Sequence, residues 1–232
     1  MDRRTFLRGA GGAAAATGLA GCLGGVGVLG GNPDVVLPEP DRRFDSEDVS
    51  YPAWGERVPD LAVPDAETGD PVRLRAIPEP HFHTFFFANC MTLCPILEGR
   101  LREVQIHSVS EGYADEVGFY PITFDPERDT PERLRREAEE LNVDQSAGNW
   151  RFLRPGTPAE AERVVTDGFG IAFERAGEMD GKYMFNHIGL ILLVNGDGYV
   201  ERAYQVGGDG GPPERELVRD LRRVRNGGGG LL

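Results

Sequence analysis

Phe85-Phe86-Phe87-Ala88-Asn89-Cys90-Met91-Thr92-Leu93-Cys94-Pro95 sets an aromatic, apolar run directly before two thiols four residues apart. The run has strand character, and a proline just after the second thiol favours the first turn of a helix. The local reading is therefore strand, tight loop, helix, with Cys94 at or near the helix N-cap. Unpaired N–H groups and the helix dipole at that end favour thiolate over thiol. Thiolates bind soft metals and attack disulfides, which makes Cys90 and Cys94 a reactive-site candidate. The bland alternative is a structural disulfide, but so short a closed loop gains little chain entropy.

Leu61-Ala62-Val63 and Val72-Arg73-Leu74 flank Thr68-Gly69-Asp70-Pro71 and read as a hairpin. His81 to Phe87 reads as a strand. Pro95 to about Val109 reads as a helix with Ile96, Leu97, Leu101, Val104 and Ile106 available for burial. Val117 to Phe124 is the next strand, and Thr130-Pro131 opens a charged helix to Leu141, with Thr130 as N-cap. Trp150 to Leu153 reads as a short strand and Thr157 to Phe169 as a helix. Ile188 to Val194 is a continuous apolar strand, buried on both faces, turned by Asn195-Gly196-Asp197-Gly198 into a partner from Tyr199 to Tyr204. A helix from Pro213 to about Arg225 closes the domain, which spans residues 51–226 and precedes a Gly-rich tail, 227–232. Strands alternating with helices, with hairpins at the edges, predict an α/β sandwich with a central mixed sheet and an N-terminal hairpin.

Upstream, Met1-Asp2-Arg3-Arg4-Thr5-Phe6-Leu7-Arg8 is a charged start with an Arg-Arg pair, followed by an uncharged Gly/Ala-rich run ending Leu19-Ala20-Gly21-Cys22. Residues 1–22 are similar to a twin-arginine export signal closed by a lipobox, which implies lipidation of Cys22 and a place on the outer face of the cell membrane. A plain cleaved signal or an uncleaved anchor is the alternative. Residues 23–50, rich in Gly and Pro and without clear period, read as a flexible tether. Its Gly25-Val26-Gly27-Val28-Leu29-Gly30 matches a dinucleotide-binding pattern, but the strand, helix and distant acid that the pattern requires are lacking.

The chain carries a formal net charge of −13, and its only lysine is Lys182. Such an acidic surface excludes phosphate-contact binding of nucleic acid. Acidic excess with arginine in place of lysine fits a protein from a high-salt organism.

Cys-x-x-x-Cys-Pro after an aromatic strand, then Asp125-Pro126-Glu127-Arg128-Asp129-Thr130-Pro131, then a lone histidine opening a long apolar strand, together resemble the SCO/SenC family. The resemblance covers roughly Phe85 to Tyr204. It implies a thioredoxin-like fold and a copper metallochaperone that serves the copper-bearing subunit of cytochrome oxidase. The family's copper ligands carry over to Cys90, Cys94 and His187. Two segments depart from the pattern around them: Met91-Thr92-Leu93 stands between the cysteines where the family commonly has Pro-Asp-Val, and Asn186 and Ile188 flank the histidine where it usually has Asp and Ser. Two thiolates and an imidazole suit Cu(I), and with an added ligand Cu(II). Met184 could lend a thioether, although packing is its usual role.

A thiol–disulfide oxidoreductase, thioredoxin-like or peroxiredoxin-like, is the competing reading, with one cysteine attacking and the other resolving. Three residues between the thiols, and no proline in Phe185-Asn186-His187, favour copper. Elsewhere, His81 and His83 share a strand face, where edge exposure is expected ahead of a secondary metal site. His107 reads as a cation near a helix C-terminus. Asp125 and Asp129 read as capping and bracing groups ahead of acid–base catalysts.

Overall fold

The computed structural model describes residues 32–41, 46–179, 181–206 and 210–227. The expected signal with Cys22, the first part of the expected tether and most of the Gly-rich tail lie outside the described residues. The elements run β1 (Ala62–Pro64), β2 (Pro71–Arg73), β3 (His81–Phe86), α1 (Cys94–Ser110), β4 (Gly118–Thr123) and α2 (Pro131–Glu140). Then come α3 (Pro158–Ala161), continued by a π-helical stretch Glu162–Gly168, β5 (Phe173–Met179), β6 (Lys182–His187), β7 (Gly189–Val194), β8 (Val200–Val206) and α4 (Glu214–Arg225). None of the described helices is long and apolar enough to cross a membrane.

The central sheet has the order β4-β3-β7-β8, with β3 and β4 parallel and the other two pairings antiparallel. Every residue of β3, β4 and β7 is buried, because helices cover both faces of the sheet. Alternation divides β7 between two cores. Ile191 and Leu193 join Phe82 and Phe119 under Leu97, Leu101 and Val104 of α1 and Leu217, Leu221 and Val224 of α4. Leu190, Leu192 and Val194 face the opposite core with Phe85, Ile122, Leu134 and Phe169. The buried face of α1 runs through residues 97, 101 and 104, so Ile96 and Ile106, expected inside, lie exposed. Trp150 to Leu153 forms no strand of its own and makes isolated bridges, parallel with Phe119 and Ile122 of β4 and antiparallel with Asp65.

Three features depart from the sequence reading. First, the chain from 173 to 187 forms an antiparallel hairpin, β5–β6, pairing Phe173 with His187 and Met179 with Lys182 around a bulge. His187 therefore ends a separate ribbon, and the apolar strand begins at Gly189. A side chain at Gly189 would bring its Cβ to 2.9 Å from the Val206 carbonyl oxygen, so glycine permits the passage from ribbon to sheet.

Second, β3 lies inside the sheet, so His81 and His83 are fully buried and not on an exposed edge. Their Nδ1 atoms pair with the carbonyls of Glu79 (2.8 Å) and Tyr120 (3.1 Å), and burial pushes their pKa values down to about 4 and about 3. No third ligand joins them among the described residues.

Third, part of the expected tether is docked on the domain. The buried Glu201 carboxylate accepts the N–H groups of Val36 (2.9 Å) and Leu37 (2.8 Å), and Trp54 Nε1 donates to the Leu37 carbonyl at 2.8 Å. A buried carboxylate requires such donors, and the chain before residue 51 supplies them.

Candidate metal centre

At the end of β3 the chain passes through buried Phe87 and Ala88 to the half-buried Cys90. Met91 and Thr92 are exposed, and Cys94 is buried as the first residue of α1 with Pro95 after it. The expected strand–loop–helix is thus present. The Cys94 N–H, one of the unpaired donors of the helix start, donates to Cys90 Sγ at 3.4 Å.

The third group arrives from the hairpin. Phe185 packs against Phe87 and Phe124 at ring separations of 5.2 and 5.3 Å, and the His187 ring lies edge-on to Phe124 at 5.0 Å. His187 Nδ1 donates to the Ile188 carbonyl at 2.9 Å. That bond leaves the Nε2 lone pair free, and Nε2 stands 3.6 Å from Cys94 Sγ. The two sulfurs and one imidazole nitrogen lie within 4.8 Å of one another, and no other His, Cys, Asp or Glu among the described residues joins them. Bonds of about 2.0–2.3 Å to a trigonal cation would place such donors on the order of 4 Å apart. The set fits a soft ion of low coordination number. A closed four-ligand zinc site lacks its fourth protein ligand. Met184 packs against the apolar core.

The two thiols are electrostatically unequal. The hydrogen bond from Cys94 is the main cause that holds Cys90 down to about 3, against the opposing effect of burial. Burial, then the neighbouring Cys90, push Cys94 well above the ordinary thiol range. In the metal-free reduced state Cys90 is a thiolate with reach to solvent, and Cys94 is a buried thiol that donates to it.

Asp125 and Asp129 brace this arrangement, while Thr130 caps α2 through the Arg133 N–H at 3.3 Å. Asp129 accepts from the Thr123 hydroxyl and from the Ala88 N–H at 3.1 Å, tying the end of β4 to the loop before Cys90. Asp125 accepts from the Tyr183 hydroxyl at 2.8 Å and from Arg128, whose guanidinium donates to the Tyr183 carbonyl and lies over the Tyr183 ring. The hairpin that carries His187 is thereby fixed to the sheet. His107, in the last turn of α1, meets Arg222 at its Nε2 (3.1 Å) and the Tyr113 hydroxyl at its Nδ1 (2.7 Å). Sequence reasoning missed Glu98, which is buried on the face of α1 it shares with Cys94. Burial raises its carboxyl well above the usual range. The i, i+4 spacing from Cys94 was the available signal.

Residues 69–225 match the family model described as SCO1/SenC. Among curated proteins the chain is similar to a SCO1 protein homolog of Bacillus subtilis, at 27% identity over 138 residues, covering 60% of this chain and 67% of that protein. It is similar in fold to Bradyrhizobium japonicum ScoI, whose structure was solved with copper bound, at a TM-score of 0.57 and 24% identity over 72% of this chain and 98% of that one. BsSco, described as a member of the Sco family of cytochrome c oxidase assembly proteins with a disulfide switch, gives a TM-score of 0.58 and 23% identity, covering 75% and 95%. The thioredoxin-like fold expected from the sequence is the fold these structures share with this chain.

Proposed function

The chain belongs to the SCO1/SenC family, and from that premise we propose that it is a copper metallochaperone that binds the ion through Cys90, Cys94 and His187. It delivers copper to the copper-bearing subunit of cytochrome oxidase on the outer face of the cell membrane, where a lipid on Cys22 holds it. The observation that carries this reading is the convergence of two sulfurs and a free Nε2 lone pair within 4.8 Å, from elements nearly a hundred residues apart. Copper is the cargo. The thiolate of Cys90 is half-exposed and meets an incoming acceptor ligand first, while the buried Cys94 and the imidazole of His187 hold the ion. Transfer is by ligand exchange, and the Cys94 proton leaves on loading and returns on release.

The inequality of the thiols supports a second activity on the same residues. The Cys90 thiolate attacks a partner's disulfide and forms a mixed disulfide with release of one partner thiolate. Cys94 then attacks the Cys90 sulfur, and a reduced partner leaves behind a Cys90–Cys94 disulfide. A thiol reductant resets the pair. Reduction of an acceptor's cysteines is a natural step before their loading.

Copper titration of the reduced protein, with Cys90→Ala, Cys94→Ala and His187→Ala beside it, tests the proposal. One equivalent of copper is expected, with thiolate-to-copper absorption and at least tenfold weaker binding in each variant. Binding indifferent to His187 would overturn the ligand set.

A further inference from the structure

The face around Cys90, Cys94 and His187 differs from the rest of the surface in two ways. Six large apolar side chains are exposed among the described residues, and three of them lie within two positions of a ligand: Met91 (55% exposed), Ile188 (40%) and Ile96 (36%). None of the three belongs to either hydrophobic core.

The second difference is charge. In a chain of net charge −13, a groove beside Cys90 is lined by Asn89, Arg128, Arg133, Arg136 and Lys182, with Glu140 as its only carboxylate. Arg128 and Arg133 are engaged by Asp125 and Glu137. Arg136 makes no ion pair among the described residues, and the ammonium of Lys182 bonds a neutral group, the Asn89 side-chain oxygen, at 3.0 Å. Many cations elsewhere are paired, as in Arg100–Glu103, Arg135–Glu67, Arg151–Asp65 and Arg225–Glu116. The only lysine of the protein thus bonds the residue that precedes Cys90, and no carboxylate pairs with it among the described residues.

We propose that this face is the docking surface for the protein that receives the copper, and that recognition is divided between a dry centre and a charged margin. The inference rests on the delivery reading above. Met91, Ile96 and Ile188 exclude water around the sulfurs while copper is shared between donor and acceptor ligands, as the apolar centre of a transient interface does. Lys182 and Arg136 take carboxylates at the margin of the acceptor, which orient the encounter. The partner is therefore a folded protein whose receiving site is set among apolar side chains and flanked on one side by Asp or Glu. Steering through two marginal charges is screened by salt, whereas the apolar contact is not.

The test loads the full-length protein with Cu(I) and mixes it with the metal-free, reduced soluble domain of the copper-bearing oxidase subunit from the same cells. Met91→Ser and Ile96→Gln, singly and together, are neutral changes at exposed positions, and Lys182→Glu with Arg136→Glu reverses the margin. Retained copper affinity in a chelator competition confirms that each variant is folded and loaded. The expected result is transfer slowed at least tenfold by the apolar pair at any salt. The charge pair slows it several-fold at low salt and not in molar salt. Wild-type transfer rates in loaded variants would overturn the docking face and leave delivery standing. A wild-type protein that loads copper and transfers none would overturn delivery, and the docking face with it.

Discussion

Replacement of Cys94 by alanine probes the electrostatics of the centre without any metal. In the reduced protein the Cys90 thiol is held down to about 3, and the hydrogen bond from Cys94 is the largest cause. Cys94→Ala removes that donor and leaves the residue's backbone N–H, 3.4 Å from the Cys90 sulfur. A hydrogen bond to a charged group contributes about 2 kcal/mol, and 1.36 kcal/mol corresponds to one pKa unit, so Cys90 should rise by roughly 1.5 units. The readout is the rate of iodoacetamide alkylation of Cys90, followed by peptide mass so that Cys22 does not interfere. Between pH 4 and pH 8 the wild-type rate should stay nearly flat, because the thiolate is already formed. Cys94→Ala should alkylate about fourfold more slowly at pH 4 and converge with the wild type above pH 6. Cys94→Ser, which keeps a hydroxyl donor, should recover much of the difference. A wild-type rate climbing tenfold per unit from pH 6 to pH 8, or superimposable profiles for wild type and Cys94→Ala, would refute the reasoning.

The buried histidines make stability fall in acid. Their folded pKa values, about 4 and about 3, lie below the ordinary value of 6.5, so only the unfolded chain takes up protons as pH drops below 6.5. Each should cost about 2 kcal/mol at pH 5, and denaturant midpoints at pH 7 and pH 5 should differ less in His83→Leu than in the wild type; an equal difference would contradict the assignment. Gly170 has φ +66°, and a Cβ there would sit 1.7 Å from the Ser50 carbonyl oxygen. Gly170→Ala should therefore lose about 3 kcal/mol and melt roughly 6–10 °C lower, and an unchanged melting temperature would count against the packing of that corner. Glu201→Ala removes the acceptor of the Val36 and Leu37 N–H groups and leaves those donors unpaired. It should cost about 2–4 kcal/mol and speed amide exchange at those two residues, whereas unaltered protection would show that the segment is held by other contacts.

Much of the fold was legible because local patterns and tertiary demands agree. Phe85 to Phe87 before Cys90, and Leu190 to Val194, are too apolar for anything but a strand covered on both sides. Pro95, Thr130-Pro131 and Thr157-Pro158 mark helix starts through a fixed proline φ and side-chain caps. The candidate centre was legible in part for the same reason, since the dipole at the start of α1 is a local property. The β5–β6 hairpin was not legible. Its residues are mostly charged or exposed, and its apolar anchors, Phe173 and Phe185, pack on a Phe124 that lies far off in the chain. The burial of Glu98 and Glu201, and the contact of His107 with Arg222 on α4, arise only from packing.

By itself the sequence determined the strand–loop–helix that carries the thiols, the alternation of elements that closes into a mixed sheet, and the acidic surface. All of these follow from neighbours within a turn or a strand, where propensity, capping and periodicity act directly. Tertiary structure alone decided which thiol holds the proton, why His81 and His83 stay neutral, and how His187 reaches Cys94. Burial and a partner's distance set those properties, and both arise only when the sheet brings segments nearly a hundred residues apart into contact, so no short window of the chain contains them.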